Sequence, residues 1–277
     1  MSELQLIYLS ILQGITEFMP VSSSGHLILF SKFTALPDQG QDIDIALHIG
    51  SILAVMLYFA PTLWNILVGL FKSKLLPNTK IEGAHLFYLL VIATLPALCV
   101  GAALKYYGME WLRSTKVIGW NILLYGILLW IIDNLSLTVR KIKNLEMIDA
   151  LYIGLAQCLA LSPGTSRSGI TITMCRFLGM ERREAAKFSM LLAIPTILAA
   201  GIYTGYELYS AGNIQLIADA CHAIGYSFIV SILAIGILMQ WLKRWSFFPF
   251  VIYRVILGIV LLLDSYGIYD IKTLFMQ

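Results

Sequence analysis

Two stretches of the 277-residue chain decide its fold. Residues 13–26 have the sequence QGITEFMPVSSSGH, and residues 161–169 have the sequence LSPGTSRSG. Each stretch interrupts an apolar segment, the first within 4–35 and the second within 147–179. Proline and glycine break helices, and a broken segment at membrane depth is stable only where protein buries it or where it lines a wet cavity. We therefore expect each segment to form a re-entrant helical hairpin.

The composition is that of a membrane protein. Hydrophobic residues make up 59% of the chain, charged residues make up 13%, and the mean hydropathy is +0.82. Soluble domains have about 45–50% apolar and about 25% charged residues, so a soluble enzyme and a disordered chain are both excluded. The net charge of +3 argues against a nucleic-acid partner. Long continuous apolar runs favour helices over transmembrane β-strands, and the fold class that we predict is an all-α, polytopic membrane protein.

Six further apolar segments are predicted to cross a bilayer, which requires about 20 residues, with boundaries good to a few residues. They are 45–70, 85–104, 117–135, 188–206, 220–241 and 249–263. Together with the two hairpins, they predict a single integral membrane domain over residues 1–277. The four cysteines show no metal-ligand spacing, which favours ordinary packing roles.

Loop charges assign the two sides of the membrane, because cytoplasmic loops carry an excess of Lys and Arg. The basic loops are 72–82, 136–146, 176–187 and 242–246. All four lie in the cytoplasm only if hairpin 147–179 enters from that side and hairpin 4–35 enters from outside. A displacement of 144 residues also aligns identical residues in three pairs: Gln13 with Gln157, Ser24 with Ser168, and Gly25 with Gly169. Both observations predict an inverted repeat, whose site lies where the broken segments meet.

The ionisable residues of the hairpins predict an anion site. Glu17 lies in the first breaker, Arg167 lies in the second, and His26 follows Gly25. Ionisable groups inside a membrane are costly and are functional by default. The guanidinium fork suits phosphate, and a helix that restarts near Ser168 would direct its positive end to the same place.

Hydroxyl groups surround these charges, at Ser22, Ser23, Ser24, Ser162, Thr165, Ser166 and Ser168. Glu17 would repel a bare anion, so it could accept a proton, hold a cation or orient a nucleophile. His26 can act as a general acid or base, and a serine beside a base is a candidate nucleophile. Phosphoryl transfer needs this combination of anion clamp, nucleophile and proton shuttle.

Structural interpretations of the same residues stay open. Small residues at a breaker also allow close helix packing, and an intramembrane pair of Arg and Glu can be purely structural. Gln13 lies one helical turn before Glu17 and could serve only to orient the carboxylate. For His48, on a predicted span, a packed or hydrogen-bonded role is more common than a catalytic one.

These stretches resemble the bacterial undecaprenyl-diphosphate phosphatases, the family of bacitracin-resistance proteins. Residues 13–26 resemble the first signature of that family, residues 163–169 resemble the second, and residues 46–55 are also similar to it. The resemblance extends over nearly the whole chain in order and spacing. It implies hydrolysis of undecaprenyl diphosphate to undecaprenyl phosphate and inorganic phosphate, which recycles the lipid carrier of cell-wall synthesis.

The resemblance also implies roles for single residues. The essential Glu, Ser, His and Arg of the family correspond to Glu17, Ser23, His26 and Arg167. The family has Glu or Gln at the position of Gln13, so this chain keeps only one of two carboxylates that could ligate a metal. A divalent cation, Mg²⁺ or Ca²⁺, is associated with the family, and Glu17 is its candidate ligand here; no organic cofactor is expected.

We therefore expect a lipid diphosphatase of the bacterial cytoplasmic (inner) membrane, with its site open to the outer, periplasmic side. The catalytic residues would be Glu17, Ser23, His26 and Arg167. The substrate-binding residues would be Gln13, Ser22, Ser24, Gly164, Thr165, Ser166 and Ser168. The nucleophile is either Ser23 or a water molecule that Glu17 activates. The expected partners are the polyprenyl diphosphate and membrane lipids, and a homodimer is left open.

Two other classes of protein share parts of this sequence pattern. A transporter or flippase of a lipid-linked or small anionic substrate could use the same opposed hairpins. Phosphatases of the phosphatidic-acid type contain a Ser-Gly-His element similar to residues 24–26, and they also place a His six residues after the Arg of a Ser-Arg pair. The corresponding position here is Thr173, which excludes that class.

Overall fold

A computed structural model shows an all-α protein. It describes residues 1–34, 36–107, 112, 114–211 and 214–269, and for residues 33, 105–107, 200, 202–211 and 214 it describes the backbone alone. The α-helices of this part of the chain are α1 (Glu3–Thr16), α2 (Ser23–Thr34), α3 (Gly40–Tyr58), α4 (Ala60–Lys72), α5 (Glu82–Tyr107), α6 (Thr115–Leu135), α7 (Met147–Cys158), α8 (Arg167–Phe177), α9 (Arg182–Ala211), α10 (Ile214–Trp241) and α11 (Phe248–Ser265). Short 3₁₀ turns occupy Ile142–Asn144 and Leu159–Leu161.

Within the described ranges, five helices are long and apolar enough to cross a membrane, namely α3, α5, α6, α10 and α11. This finding confirms the all-α, polytopic membrane fold. The remaining predicted span, 188–206, lies within the 30-residue helix α9, where residues 200 and 202–206 have side chains outside the description. The prediction of six crossings and two hairpins stays a prediction.

The predicted span 45–70 is wrong as a single helix. Helix α3 ends at Tyr58 and α4 begins at Ala60, with Phe59 between them at φ −102° and ψ 23°. Pro61 lies in the first turn of α4, where its missing N–H group costs nothing, whereas inside a continuous helix its ring would clash with the preceding turn. The chain therefore bends at Phe59, and α4 packs on α5.

Both predicted hairpins consist of two short helices joined by a breaker, α1 with α2 and α7 with α8. Each breaker contains a serine in the left-handed region, Ser22 at φ 75° and Ser166 at φ 71°. The Oγ of each serine accepts a hydrogen bond from an amide three residues later, from Gly25 N at 3.3 Å and from Gly169 N at 3.0 Å. These bonds cap α2 and α8. The two breakers thus repeat one local structure at positions 144 residues apart.

Helix packing follows the same repeat. Helix α1 packs on α10 and α7 packs on α5, while α3 contacts α9 and α6 contacts α11. Each helix has a counterpart in the other half of the chain: α1 corresponds to α7, α3 to α9, α5 to α10 and α6 to α11. When every helix is replaced by its counterpart, the same four contacts result. The internal repeat is therefore visible in the packing as well as in the breakers.

A buried ion-pair cluster closes one end of α6. Asp133 Oδ1 accepts hydrogen bonds from Arg176 Nε at 2.7 Å and from Arg182 Nε at 2.9 Å. Arg176 is completely buried, and its guanidinium also donates to backbone carbonyls between α6 and α7, including that of Leu137. This cluster ties the end of α8 and the start of α9 to α6.

Replacement of Asp133 by Ala should destabilise the protein, because Arg176 would be left buried without its carboxylate. Removal of one partner from a buried pair costs about 3–5 kcal/mol. We expect a loss of this size in the free energy of unfolding, measured by denaturant titration in detergent. The control Glu82→Ala, on an exposed helix start, should change it by about 0.5 kcal/mol or less. Equal effects of the two substitutions would contradict a stabilising role for the cluster.

Candidate active site

The two breakers meet in the interior of the protein. Arg167, the first residue of α8, donates from Nη2 to Glu17 Oε1 at 2.9 Å. Ser168 Oγ donates to the carbonyl of Glu17 at 3.0 Å. A Cβ atom built on Gly25 would lie 3.6 Å from Gly164 Cα, so the start of α2 lies against the loop before α8. Residues 150 positions apart in the sequence thus form one site.

The carboxylate of Glu17 is the centre of this site and is only 5% exposed. Its Oε2 accepts hydrogen bonds from Gln13 Nε2 at 3.0 Å and from Ser23 Oγ at 2.6 Å. His48 Nε2 lies 3.4 Å from the same oxygen, while Arg167 occupies Oε1. A serine hydroxyl directed at a carboxylate has the geometry of a nucleophile with its base.

Some N–H groups of the Arg167 guanidinium are available to bind an anion. Its Nη1 donates to the carbonyl of Ser189 on α9 at 2.9 Å, and with the bond to Glu17 this uses two of the five N–H groups of a guanidinium. Thr165 Oγ1, just ahead of it, is buried and has no hydrogen-bond partner within the described residues. Buried hydroxyls normally have one. Helices α2 and α8 both begin here, so the positive ends of two helices face the site.

The hydrogen-bond partners of His26 lie outside the pair formed by Ser23 and Glu17. Its Nδ1 is 2.7 Å from the carbonyl of Ser22, its Nε2 is 2.5 Å from the hydroxyl of Tyr253, and the two rings are stacked. Because Nδ1 faces a carbonyl, it carries a proton, and Nε2 is the atom that can exchange one. Among the described residues, its hydrogen bonds reach neither Ser23 nor Glu17.

An apolar cavity of about 600 Å³ opens beside His26, between α1, α2 and α11. Side chains that line it include Tyr8, Ile11, Ile15, Phe30, Phe250 and Tyr253. Tyr8, Ile11 and Ile15 are exposed on the outer surface of α1, which in a membrane protein faces lipid. The cavity therefore connects the surroundings of the imidazole with the hydrocarbon region.

Arg254 is the residue of the site that sequence reasoning missed. It lies on α11 and is completely buried. Among the described residues, it donates only to backbone carbonyls, at 3.0–3.2 Å. These carbonyls belong to Pro20, Asn121, Ile122, Gly164 and Thr165. One side chain thus fixes both breakers to α6. The available signal was an arginine inside a predicted span, which is costly unless it has a purpose.

Two further residues reach the site from elsewhere. His48, which we expected to be packed or hydrogen-bonded rather than catalytic, contacts Glu17, and Tyr253 contacts His26. His48 lies on a predicted span within the family-like stretch 46–55, but its contact with Glu17 depends on how α3 packs against the breakers. The contact of Tyr253 depends in the same way on α11. Asn121 on α6 also supports the second breaker, with Nδ2 donating to Ser162 Oγ at 2.7 Å and to the carbonyl of Pro163 at 2.8 Å.

Several predicted substrate-binding residues have structural roles. Ser22 and Ser166 cap the helices that follow them, and Ser168 joins the two breakers. Ser24 is only half-buried at the start of α2. Contact with a substrate stays a prediction for these residues.

Fold and site together define a polytopic membrane protein with a buried centre of serine, carboxylate and guanidinium at the meeting point of two broken segments. A family model described as "Bacitracin resistance protein BacA" matches residues 6–260. The chain belongs to this family, which confirms the resemblance found in the sequence.

Curated relatives match the chain over nearly its whole length. "Undecaprenyl-diphosphatase" of Ruegeria pomeroyi is 45% identical over 268 residues, which cover 96% of this chain and 100% of the relative. "Undecaprenyl-diphosphatase 1" of Rhodospirillum rubrum is 42% identical, with 95% of each chain covered. "Undecaprenyl-diphosphatase" of Alteromonas mediterranea is 38% identical, with 95% of this chain and 98% of the relative covered.

Replacement of Gly164 by Ala should destabilise the second breaker. Gly164 has φ +90°, and an added Cβ would lie 2.6 Å from the carbonyl oxygen of Ile118. The left-handed conformation alone costs about 1–2 kcal/mol for a residue with a Cβ. We expect at least that loss in the free energy of unfolding, measured by denaturant titration in detergent.

The matched control is Gly236→Ala. Gly236 lies within α10, and no atom lies within 4 Å of the position of an added Cβ. Alanine stabilises a helix interior by about 0.5–1 kcal/mol relative to glycine, so the control should have the opposite sign. A loss of stability in Gly236→Ala alone would contradict this account.

Proposed function

We propose that this protein hydrolyses undecaprenyl diphosphate to undecaprenyl phosphate and inorganic phosphate. The observation that carries the proposal is the 2.6 Å hydrogen bond from Ser23 Oγ to the Glu17 carboxylate, beside the guanidinium of Arg167. Membership of the BacA family and the names of the relatives, which are undecaprenyl-diphosphatases, support it. The reaction recycles a lipid carrier of cell-wall synthesis.

In the proposed mechanism, Ser23 is the nucleophile. Glu17 accepts the hydroxyl proton while Oγ attacks the terminal phosphorus of the diphosphate. A bond from Oγ to phosphorus forms, the bond from phosphorus to the bridging oxygen breaks, and undecaprenyl phosphate departs. Water then attacks the phosphoserine, inorganic phosphate leaves, and Glu17 returns the proton to Oγ.

His26 would serve the lipid side of the same reaction. It lines the apolar cavity, so it lies near the departing lipid phosphate when the prenyl chain occupies that cavity. A proton from Nε2 neutralises the bridging oxygen as the bond breaks, and the attacking water restores that proton in the second step. Glu17 and His26 thus handle separate protons, which agrees with their different hydrogen-bond partners.

Charge on the transferred phosphoryl group would be met by Arg167 and by the starts of α2 and α8. A guanidinium offers two parallel donors to phosphate oxygens. The partnerless hydroxyl of Thr165 would donate to a third oxygen. Donors fixed in a water-poor site stabilise a transition state more strongly than they would in water.

A divalent cation, Mg²⁺ or Ca²⁺, is part of the proposal. The Oε1 atom of Gln13 is buried without a partner among the described residues, and the Nε2 atom of the same amide donates to the Glu17 carboxylate. Both oxygens fit a hard cation, although the described residues contain no cluster of three or more His, Cys, Asp or Glu. Gln13 and Glu17 would therefore hold it together with substrate oxygens and water. When bound, the cation would neutralise charge on the diphosphate.

We place the protein in the bacterial inner membrane with the site open to the periplasm, because the basic loops then lie in the cytoplasm. A homodimer stays a prediction. Transport or flipping of a substrate is not favoured, since the relatives carry the names of diphosphatases.

Ser23→Ala should reduce phosphate release from undecaprenyl diphosphate by at least about 10³-fold, because it removes the nucleophile. Glu17→Gln keeps the shape of the side chain but removes the base, and a loss of about 10²–10⁴-fold is expected. Phosphate release by the purified protein is the measurement, with a rapid acid quench and mass spectrometry to detect phosphate on Ser23.

The control is Ser31→Ala, a serine of α2 whose hydroxyl donates to the carbonyl of Ile28 in its own helix. Its activity should stay close to that of the unaltered protein. Substantial release by Ser23→Ala would transfer the role of nucleophile to water activated by Glu17. Near-normal release by both Ser23→Ala and Glu17→Gln would overturn the assignment of the site.

Ile11→Trp should obstruct the apolar cavity without touching the charged centre. We expect KM for undecaprenyl diphosphate to rise on the order of tenfold, equivalent to about 1.4 kcal/mol of lost contact, while kcat stays the same. Leu4→Trp, also on the exposed surface of α1 but outside the cavity lining, should leave KM unchanged. Equal KM values for the two variants would show that the prenyl chain lies elsewhere.

A further inference from the structure

A second, strongly basic cavity lies at the other end of α6 from the active site. It has a volume of about 380 Å³ and lies between the start of α9 and the turn that joins α10 to α11. Its charged and aromatic lining consists of Glu181, Arg182, Arg183, Lys243, Arg244 and Trp245.

Helix α6 gives the separation between the two sites. Asn121 contacts the second breaker, whereas Asp133 binds Arg182 beside the basic cavity. The two positions are about 18 Å apart at 1.5 Å of rise per residue. The basic cavity is therefore not part of the catalytic centre.

The positive charge of this cavity is not balanced by neighbouring carboxylates. Arg182 is held by both oxygens of Asp133, at 2.9 and 3.0 Å. Arg183, Lys243 and Arg244 are exposed and form no ion pair with any described residue. Unpaired cations around a concave surface focus a positive potential on whatever enters it.

The single carboxylate of the lining does not cancel this excess. Glu181 is shared with Lys141, whose Nζ lies 3.9 Å from Oε1. Three exposed cations thus face the cavity against one partly committed carboxylate, while the guanidinium of Arg182 is already paired with Asp133. Guanidinium groups in such a set match the oxygens of a phosphate group.

Two tryptophans indicate the level of the cavity relative to the membrane surface. Trp245 is 60% exposed and stacks on Trp241, with ring centroids 5.6 Å apart. They lie where the apolar helix α10 ends and α11 begins, and exposed tryptophans at such positions mark the boundary between lipid and water. A phosphate group bound here would lie at the level of the lipid headgroups.

We propose that this cavity binds the phosphate group of an anionic phospholipid. The cations hold the phosphate, and the exposed face of Trp245 packs against the attached lipid. A bound lipid would join the start of α9 to the turn between α10 and α11, so it should raise the stability of the protein. Basic pockets on the cytoplasmic side of membrane helices are suited to such headgroups.

The test uses the full-length protein, delipidated in a neutral detergent, with thermal unfolding as the readout. Micelles that contain phosphatidylglycerol should raise Tm by several degrees, whereas phosphatidylcholine or inorganic phosphate at the same concentration should not. The triple variant Arg183→Gln, Lys243→Gln, Arg244→Gln should need at least tenfold more phosphatidylglycerol for half of the shift.

The control triple variant is Lys72→Gln, Lys74→Gln, Lys80→Gln. It removes the same charge from exposed residues of another basic loop and should retain the full response. Equal losses in the two variants would mean that general surface charge attracts the lipid, and this would overturn the proposal. An unchanged response of the first variant would also overturn it, and so would an equal shift with inorganic phosphate.

A single variant covers the case in which the triple variant does not fold. Lys243 lies in the exposed turn and makes no side-chain hydrogen bond to a described residue, so the fold should tolerate Lys243→Gln. Its half-saturation point for phosphatidylglycerol should rise two- to threefold, while Lys72→Gln should show no change. Identical half-saturation points for these two variants would contradict the proposal.

Discussion

The buried guanidinium of Arg254 is the interaction on which the site depends. A charge at membrane depth is costly unless hydrogen bonds satisfy it, and Arg254 obtains them from backbone carbonyls. Those carbonyls include Pro20, Gly164 and Thr165, which lie in breakers where no helical N–H group is available to them. The guanidinium and the carbonyls thus satisfy each other's hydrogen-bonding groups, because a buried backbone carbonyl without a partner is also unfavourable. The two broken segments are stable together around this side chain.

The breaks in turn create the chemistry. Because α2 and α8 begin inside the protein, their positive ends and the serine and arginine of their first turns point into one enclosed space. Ser22 and Ser166 adopt the same left-handed conformation and make the same cap. The repeat has nevertheless diverged in function, since position 23 carries a hydroxyl where position 167 carries a guanidinium. A duplicated structural device thus supplies a nucleophile from one half and an anion clamp from the other.

Much of this arrangement follows from the sequence, for physical reasons. Proline, glycine and serine in apolar segments reveal the breakers, and the need of intramembrane charges for partners predicts that Glu17 and Arg167 meet. Other features depend on tertiary packing. The break at Phe59 could not be predicted because Pro61 is compatible both with a kinked span and with a new helix, and the contact of His48 with Glu17 depends on the position of α3. The hydrogen bond of His26 to Tyr253 depends on the position of α11, which a linear motif does not reveal.

The most direct test of the central claim is an experimental structure with a polyprenyl diphosphate analogue in which a methylene group replaces the bridging oxygen. We predict that the terminal phosphorus lies about 3–3.5 Å from Ser23 Oγ, the usual distance for attack, with its oxygens bound by Arg167 and the prenyl chain in the cavity between α1 and α11. A structure in which the diphosphate binds away from the meeting point of the breakers, or in which Arg167 and Glu17 lie far apart, would contradict this account.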